Sequence, residues 1–540
     1  MTRLLSFSLA LALLGCNSPL PQADLLVYNA RVYTVDSAFS TVEALVIKDG
    51  KFIATGLEKD MRAKYLPLTE LDAGGSTIVP GLIDAHCHFY GLGQNQEVVN
   101  LVGTTSLDEV LQRVLDFQDL TKTSFIYGRG WDQNDWEDKH FPNKSALDSL
   151  FPNIPVALQR VDGHALLVNQ KALDLAGIDK NTRVSGGEVI LENGKPTGVL
   201  VDRPMQLVMD TWPKPDRSTK IRALLAAQAI CFENGITTVN DAGLDREIIE
   251  LIDSLQQSGD LSIRIYAMVS NTPANLDHFL SRAPYKTDRL TVRSVKVYAD
   301  GALGSRGAAL KEPYTDQAGH FGAMITPADS LNNLAERIAS AGFQMNTHAI
   351  GDSANIAVLR AYSQALQGVD DPRWKIEHAQ IIDTADFGLF GPKVIPSVQP
   401  THATSDMYWA ETRLGKSRMS GAYAYATLLQ QSGSIVLGTD FPVEGVDPMQ
   451  TFYAAVTRMD RSGFPEGGFL KEEALTREQA LRGMTLWAAY SNFEETAKGS
   501  IEPGKWADFT FLSADIMNLA PDEIKDIKVS QTYVAGKRVF

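Results

Sequence analysis

Cysteine is scarce in this chain, with three in 540 residues. Apart from Cys16 near the start, only Cys87 and Cys231 remain, too few for a disulfide framework, so no structural disulfide is expected and both read as small buried hydrophobes. A positive surplus is also missing: 50 Lys and Arg stand against 65 Asp and Glu, a formal net charge of −15. The acidic excess is spread along the sequence, which disfavours nucleic acid and anionic headgroups as partners. There is no long low-complexity tract, and 44% hydrophobic with 21% charged residues is the composition of an ordinary globular protein. No GxGxxG turn follows the first strand of the central region, which argues against a dinucleotide-binding fold.

The apolar run from Leu4 to Leu14, behind Arg3, is too short to span a bilayer and has the length of a signal-peptide core. It ends in Leu13-Leu14-Gly15-Cys16, which resembles the lipobox of bacterial lipoproteins, and Asn17 rather than Asp follows. Residues 1–15 are therefore expected to be a lipoprotein signal peptide, Cys16 the lipidated residue and 16–23 a tether. The mature protein would be exported and membrane-anchored, in the periplasm and at the outer membrane.

Both ends of the remaining chain have a β texture. Leu25–Tyr28, Arg31–Val35 and Ala44–Ile47, with Asp49-Gly50 as a hairpin turn, match Trp506–Leu512 and Val529–Val539 near the C-terminus. One small sheet built from both termini is expected. Between them, apolar strands alternate with helical stretches, the signature of βαβ units. Eight strands are expected: Thr77–Asp84, Ile236–Asn240, Ile263–Val269, Val295–Ala299, Phe343–Thr347, Trp374–Glu377, Val394–Val398 and Ser434–Gly438. Helices such as Arg222–Phe232 and Leu331–Ala341 fit between them, the latter stopping at Gly342. Eight repeats favour an α/β fold of the (β/α)8 TIM-barrel class over an open sheet. The gap between the first two strands is roughly 150 residues, so an insertion is expected there, over the barrel mouth.

Barrel chemistry sits at the C-terminal ends of the strands. His86 and His88 end strand one, Lys296 lies on strand four, Thr347-His348 ends strand five, Glu377-His378 strand six and Thr439-Asp440 strand eight. Residues i and i+2 of a strand share a face, so the two imidazoles of His86 and His88 can hold one ion together. Four of the chain's nine histidines fall in this set; His140, His278 and His320 lie elsewhere, and His164 and His402 are intermediate.

These residues sit in motifs that resemble a known family. Pro80-Gly81-Leu82-Ile83-Asp84-Ala85-His86-Cys87-His88 is similar to the opening motif of the amidohydrolase superfamily. Thr347-His348-Ala349-Ile350-Gly351-Asp352, Ile376-Glu377-His378-Ala379-Gln380, Gly438-Thr439-Asp440-Phe441-Pro442-Val443 and Gly504-Lys505-Trp506-Ala507-Asp508 follow in the family's order. Gly130-Trp131-Asp132, Asp162-Gly163-His164 and Asp300-Gly301-Ala302-Leu303-Gly304-Ser305-Arg306 resemble its YtcJ-like branch, which includes N-substituted formamide deformylases. The resemblance implies a distorted barrel over 79–494, a composite β-sandwich domain from 24–78 and 495–540, and an insertion after barrel strand 1 at about 95–220. It implies that His86, His88 and Asp440 hold one divalent metal and His348 and His378 a second, bridged by Lys296 if its amine is carboxylated.

If Lys296 stays an ordinary amine, one metal is implied, with His348 a ligand and His378 orienting water. Zinc is the default ion, though iron or manganese would accept the same residues. The implied chemistry is hydrolysis of a non-peptide C–N bond, of amide or formamide type, by a metal-activated hydroxide, with Asp440 moving the proton. Asp162, His164 and Arg306 are candidate substrate contacts. The partners expected are a small amide-type substrate, the membrane through Cys16, and a second copy of the chain as a homo-oligomer. Two alternatives stay open: a cyclic-amide hydrolase or deaminase of the same architecture, and a non-enzymatic ligand-binding lipoprotein.

Overall fold

A computed structural model of the chain describes residues 20–160, 165–184, 187–304 and 306–540. Cys16, Asp162 and His164 lie outside the described residues. The centre is a barrel of eight parallel strands that are neighbours in chain order. They are β1 (Leu82–Cys87), β2 (Ile236–Leu244), β3 (Arg264–Ser270), β4 (Leu290–Tyr298), β5 (Gln344–Ala349), β6 (Trp374–His378), β7 (Val394–Val398) and β8 (Val436–Leu437). These strands are buried on both faces, and they mix apolar residues with buried polar ones such as Asp84, Asn240, Lys296, Asn346 and Glu377. Helices cover the outside. Arg217–Glu233 starts at Asp216, whose carboxylate accepts the Thr219 N–H at 2.7 Å, and Ala328–Ser340 stops before Gly342 at φ 73°.

The expected first strand, Thr77–Asp84, is two strands. Thr77–Pro80 belongs to an outer sheet and β1 to the barrel. The change falls at Gly81, whose N–H donates to Asp508 O in one layer while the next N–H, of Leu82, donates to Gly235 O in the other. Unbroken apolar sequence hides such a change of partner. The last strand is also shorter than Ser434–Gly438, because past Leu437 the chain turns to bind β1 directly. Asp440 N–H donates to His86 O at 2.8 Å and His88 N–H to Phe441 O at 2.7 Å. Gly438 makes this possible: a Cβ there would lie 2.5 Å from His86 N.

The β-rich termini form two sheets rather than one. Lys51–Gly56, Ala44–Lys48, Gln22–Tyr28 and Leu66–Asp72 make a purely N-terminal sheet, its hairpin turning at Asp49-Gly50. The other is composite, with Phe509–Leu512 pairing antiparallel with Thr77–Pro80. Phe52, Ile78, Phe509 and Phe511 fill the space between the two. The sandwich is clamped to the barrel by a buried pair: Arg264 of β3 donates to both oxygens of Asp508, at 2.6 and 3.0 Å, and stacks over Trp506. The insertion carries a six-stranded mixed sheet that includes Val99–Asn100, Ile126–Trp131, Val156–Arg160 and Lys195–Asp202, with apolar clusters of its own. At the N-terminal ends of the strands, Leu486–Ser491 plugs the barrel against Ile83, Ala85, Ile395 and Val436. Among the described residues, no helix is long and apolar enough to cross a membrane.

Candidate metal centre

Between β1 and β2 the register slips: Val239 pairs with Asp84 and Asp241 with Cys87, two residues against three. This bulge re-aims His86 into the barrel. Its Nδ1 lies 2.6 Å from Glu377 Oε2, and both side chains are fully buried. Burial raises the pKa of Glu377, but the facing His86, Lys375 and Lys296 outweigh it and hold the group ionised. The Nδ1 proton is therefore donated to Glu377, which leaves the Nε2 lone pair of His86 bare. Nε2 faces Lys296 Nζ at 3.2 Å and Asp440 Oδ1 at 3.5 Å.

His88 lies just past the end of β1 and puts its Nε2 3.2 Å from the same Asp440 oxygen. Cys87, between the two histidines, turns outward, its thiol 3.5 Å from Asn240 O. Cys87 and Cys231 are both buried and free, as expected, and burial pushes both thiols well above their usual range.

His378 and Asp440 both take left-handed backbone conformations, φ 73° and 62°. Such strain in non-glycine residues collects where function positions a side chain. His378 Nδ1 donates to Gln399 Oε1 at 2.7 Å, so its Nε2 is bare as well. Its ring stacks on His402, with centroids 5.8 Å apart, and stands 4.5 Å from the His348 ring. His402 Nε2 is 3.7 Å from Asp440 Oδ2. Burial, aided by Lys296, drives the His348 imidazole down to about 3, so it is neutral. Burial likewise lowers Lys296, while the histidines around Asp440 overcome its burial and keep its carboxylate ionised.

Two groups could each hold an ion: His86, His88 and Asp440, and His378, His402 and Asp440, with the ligand atoms of each group within 4.8 Å of one another. The donor set fits. Asp440 Oδ1, His348 Nε2 and His402 Nε2 are buried and make no aligned hydrogen bond among the described residues. Leaving such atoms unpaired is costly unless a cation joins them. His402 stands where sequence alone left it unassigned. The only signal was its place four residues beyond the end of β7.

Arg306 is forked onto Asp316, at 3.1 and 2.8 Å, and Arg413 binds the same carboxylate. Asp300, at the head of the same motif, is structural in geometry. It accepts the N–H groups of Ile350, Gly351 and Ala309 at 2.9, 2.8 and 2.8 Å, and so ties the loop after β4 to the end of β5.

The family model described as amidohydrolase family matches residues 69–540. The chain belongs to the amidohydrolase family. It is 31% identical to YtcJ of Bacillus subtilis over 94% of this chain and 98% of that one. It is 26% identical to N-substituted formamide deformylase of Arthrobacter pascens over 95% and 97%. A solved structure of an uncharacterized metal-dependent hydrolase from Pyrococcus furiosus superposes with a TM-score of 0.77 at 26% identity, covering 92% of this chain and all of that one. Within the family the chain is YtcJ-like, and the distorted barrel with its sandwich is the architecture expected from the motifs. The chain is accordingly a hydrolase of this family, with a His/Asp group suited to a metal.

Proposed function

We propose that the protein hydrolyses a non-peptide C–N bond of amide or formamide type, with two divalent ions, of which zinc is the default. One observation carries the reading: two ligand groups converge on a shared Asp440, whose buried Oδ1 makes no aligned hydrogen bond among the described residues, at the C-terminal ends of the strands. In this reading His86, His88 and Asp440 hold the first ion. His378, His402 and Asp440 hold the second, with His348 beside it. Lys296, 3.2 Å from His86 Nε2, would join the centre if its amine were carboxylated, since a bare ammonium cannot ligate a cation. When bound, such ions acidify water and polarise a carbonyl.

The residues of the chain do the rest. Glu377 and Gln399 orient the imidazoles of His86 and His378 by taking their Nδ1 protons. Asp440 takes the proton of the attacking water and passes it to the leaving nitrogen, which departs as a neutral amine. Likeness to the formamide deformylase supports a linear amide over other bonds.

The test is metal analysis of the purified protein followed by assays on matched N-formyl, N-acyl, cyclic-amide and amidine substrates. Turnover of the linear amides is expected to lead. Preference for the amidine would make the protein a deaminase, and a correctly folded protein without affinity for metal would overturn the reading. Asp440→Asn should lower kcat by at least about 100-fold with the fold intact. A wild-type rate would refute its role.

The second part of the proposal is export with a lipid anchor on Cys16, supported by the lipobox-like Leu13-Leu14-Gly15-Cys16. Cys16→Ser should abolish labelling by radioactive palmitate and release the protein from the membrane fraction. Retained labelling would rule out Cys16 as the site.

A further inference from the structure

His88 is the half-exposed edge of the metal centre, and it opens onto a cleft of about 660 Å3 lined also by Gln94, Asn95, Arg129 and Asp241. Arg129 comes from the insertion, on the strand Ile126–Trp131, while the others come from the barrel and the short helix after β1. Its position is built into the strand. Between Arg129 and Trp131 the register against Val156–Arg160 slips, and the residue at the slip, Gly130, has φ 109° with its absent Cβ directed 2.5 Å from Val102. No other residue fits there. Gly128, on the other side, packs its missing side chain against Leu101, Leu158 and Val99. Two glycines thus leave Arg129 unshielded, with its chain neighbours turned into the core.

Arg129 makes no hydrogen bond or ion pair among the described residues, in a chain whose net charge is −15. Arg160, on the neighbouring strand, is by contrast tied to Asp132. The other charged group of the cleft is not a partner for it: Asp241 is 2% exposed and accepts the Tyr90 N–H at 2.9 Å, so it faces the wall. The remaining polar lining, Gln94 and Asn95, is neutral. A cleft that runs from a metal-ligating imidazole to one unpaired guanidinium has a polarity. The bond to be cut lies at one end, and an anion fits the other, where the guanidinium offers two parallel N–H donors to a carboxylate.

We propose that the substrate of this site carries a carboxylate and that Arg129 binds it, so that the protein acts on an N-acylated or N-formylated amino acid or a similar amide acid. The inference rests on the amide-hydrolase reading above and names its substrate class. The probes are N-formylphenylalanine and N-formyl-2-phenylethylamine, which differ only in the carboxylate. Binding to the metal-loaded full-length protein by calorimetry and hydrolysis by amine release are measured on wild type, Arg129→Gln and Arg129→Lys.

Wild type is expected to bind and cleave the acid at least about tenfold better than the amine, a margin that Arg129→Gln removes and Arg129→Lys partly restores. The amide lacking a carboxylate should be indifferent to both substitutions. Equal binding of the two probes by wild type, or an equal loss on both in Arg129→Gln, overturns the proposal whatever the hydrolysis shows. A carboxylate margin in binding without cleavage of either probe would instead sink the amide-hydrolase reading and leave the carboxylate site standing.

Discussion

With its Nδ1 proton given to Glu377 at 2.6 Å, His86 has one lone pair left, and that lone pair faces Asp440. A carboxylate behind an imidazole fixes the tautomer and raises the basicity of the ligating nitrogen. Glu377→Gln keeps the size and removes the charge, so metal affinity should weaken by about 10- to 100-fold in a competition titration against a chromophoric chelator. Unchanged affinity would detach Glu377 from the metal. His402→Ala should cost one ion per chain by elemental analysis while the His86 and His88 group keeps the other. Full occupancy would return the second site to His348 and His378 alone. At this scale the sequence was partly legible. His86 and His88 lie two residues apart in a motif, and Asp440 follows an apolar strand; these signals are local. His402 and Gln399 sit beyond β7, and which acid backs which imidazole depends on register across β1 and β6, set by a bulge that no local pattern announces. Asp162 and His164 lie outside the described residues, and Arg306 is engaged by Asp316.

The elements hold one another by a few buried polar ties. Arg264 and Asp508 are 2% and 5% exposed at the side chain, a bidentate pair between a barrel strand and the residue just before the sandwich strand Phe509–Leu512. Removing one partner leaves a buried charge alone, so Asp508→Ala should cost about 3–5 kcal/mol in urea unfolding. A loss below about 1 kcal/mol would mean that water reaches the orphaned guanidinium. The motif around Trp506 and Asp508 thus reads as a clamp, although it carries no catalytic group.

Asp216 gives a pH signature at the start of its helix. The N–H of Thr219 and the hydroxyl of Ser218 hold its carboxylate down to about 2. Its contribution is complete above the unfolded value of about 3.9 and is lost as pH falls through the folded one. The gap in urea midpoint between wild type and Asp216→Asn should therefore change between pH 5 and 2.5 and stay constant above pH 5. A constant gap at all pH values would contradict this. The barrel strands were legible from their alternation with helical stretches more than from their own composition, since β5 and β6 carry many buried polar residues. The split at Gly81 and the two-sheet sandwich were not, since both are decided by partners hundreds of residues away.

For the whole molecule, the candidate ligands come from the ends of β1, β6 and β8 and the short helix Pro400–Asp406 after β7, so an ion held by them would bind the closed barrel and not the unfolded chain. Ion at 1,000 times its Kd would add about 4 kcal/mol to stability. The chelated protein should melt below the metal-loaded one and recover when zinc is returned. Coincident melting curves would place the ion outside the fold.

The seam that closes the barrel is also the seam of the metal centre: Asp440 N–H bonds His86 O, and Thr439 bonds Asp84 across 355 residues of chain. The contacts that close the ring therefore also bring the ligand set together. Until Asp440 arrives, the chain carries the histidines of both groups without the carboxylate they share. A substitution that loosens this seam, such as Thr439→Ala, would therefore disturb the ring and the candidate ligand set together.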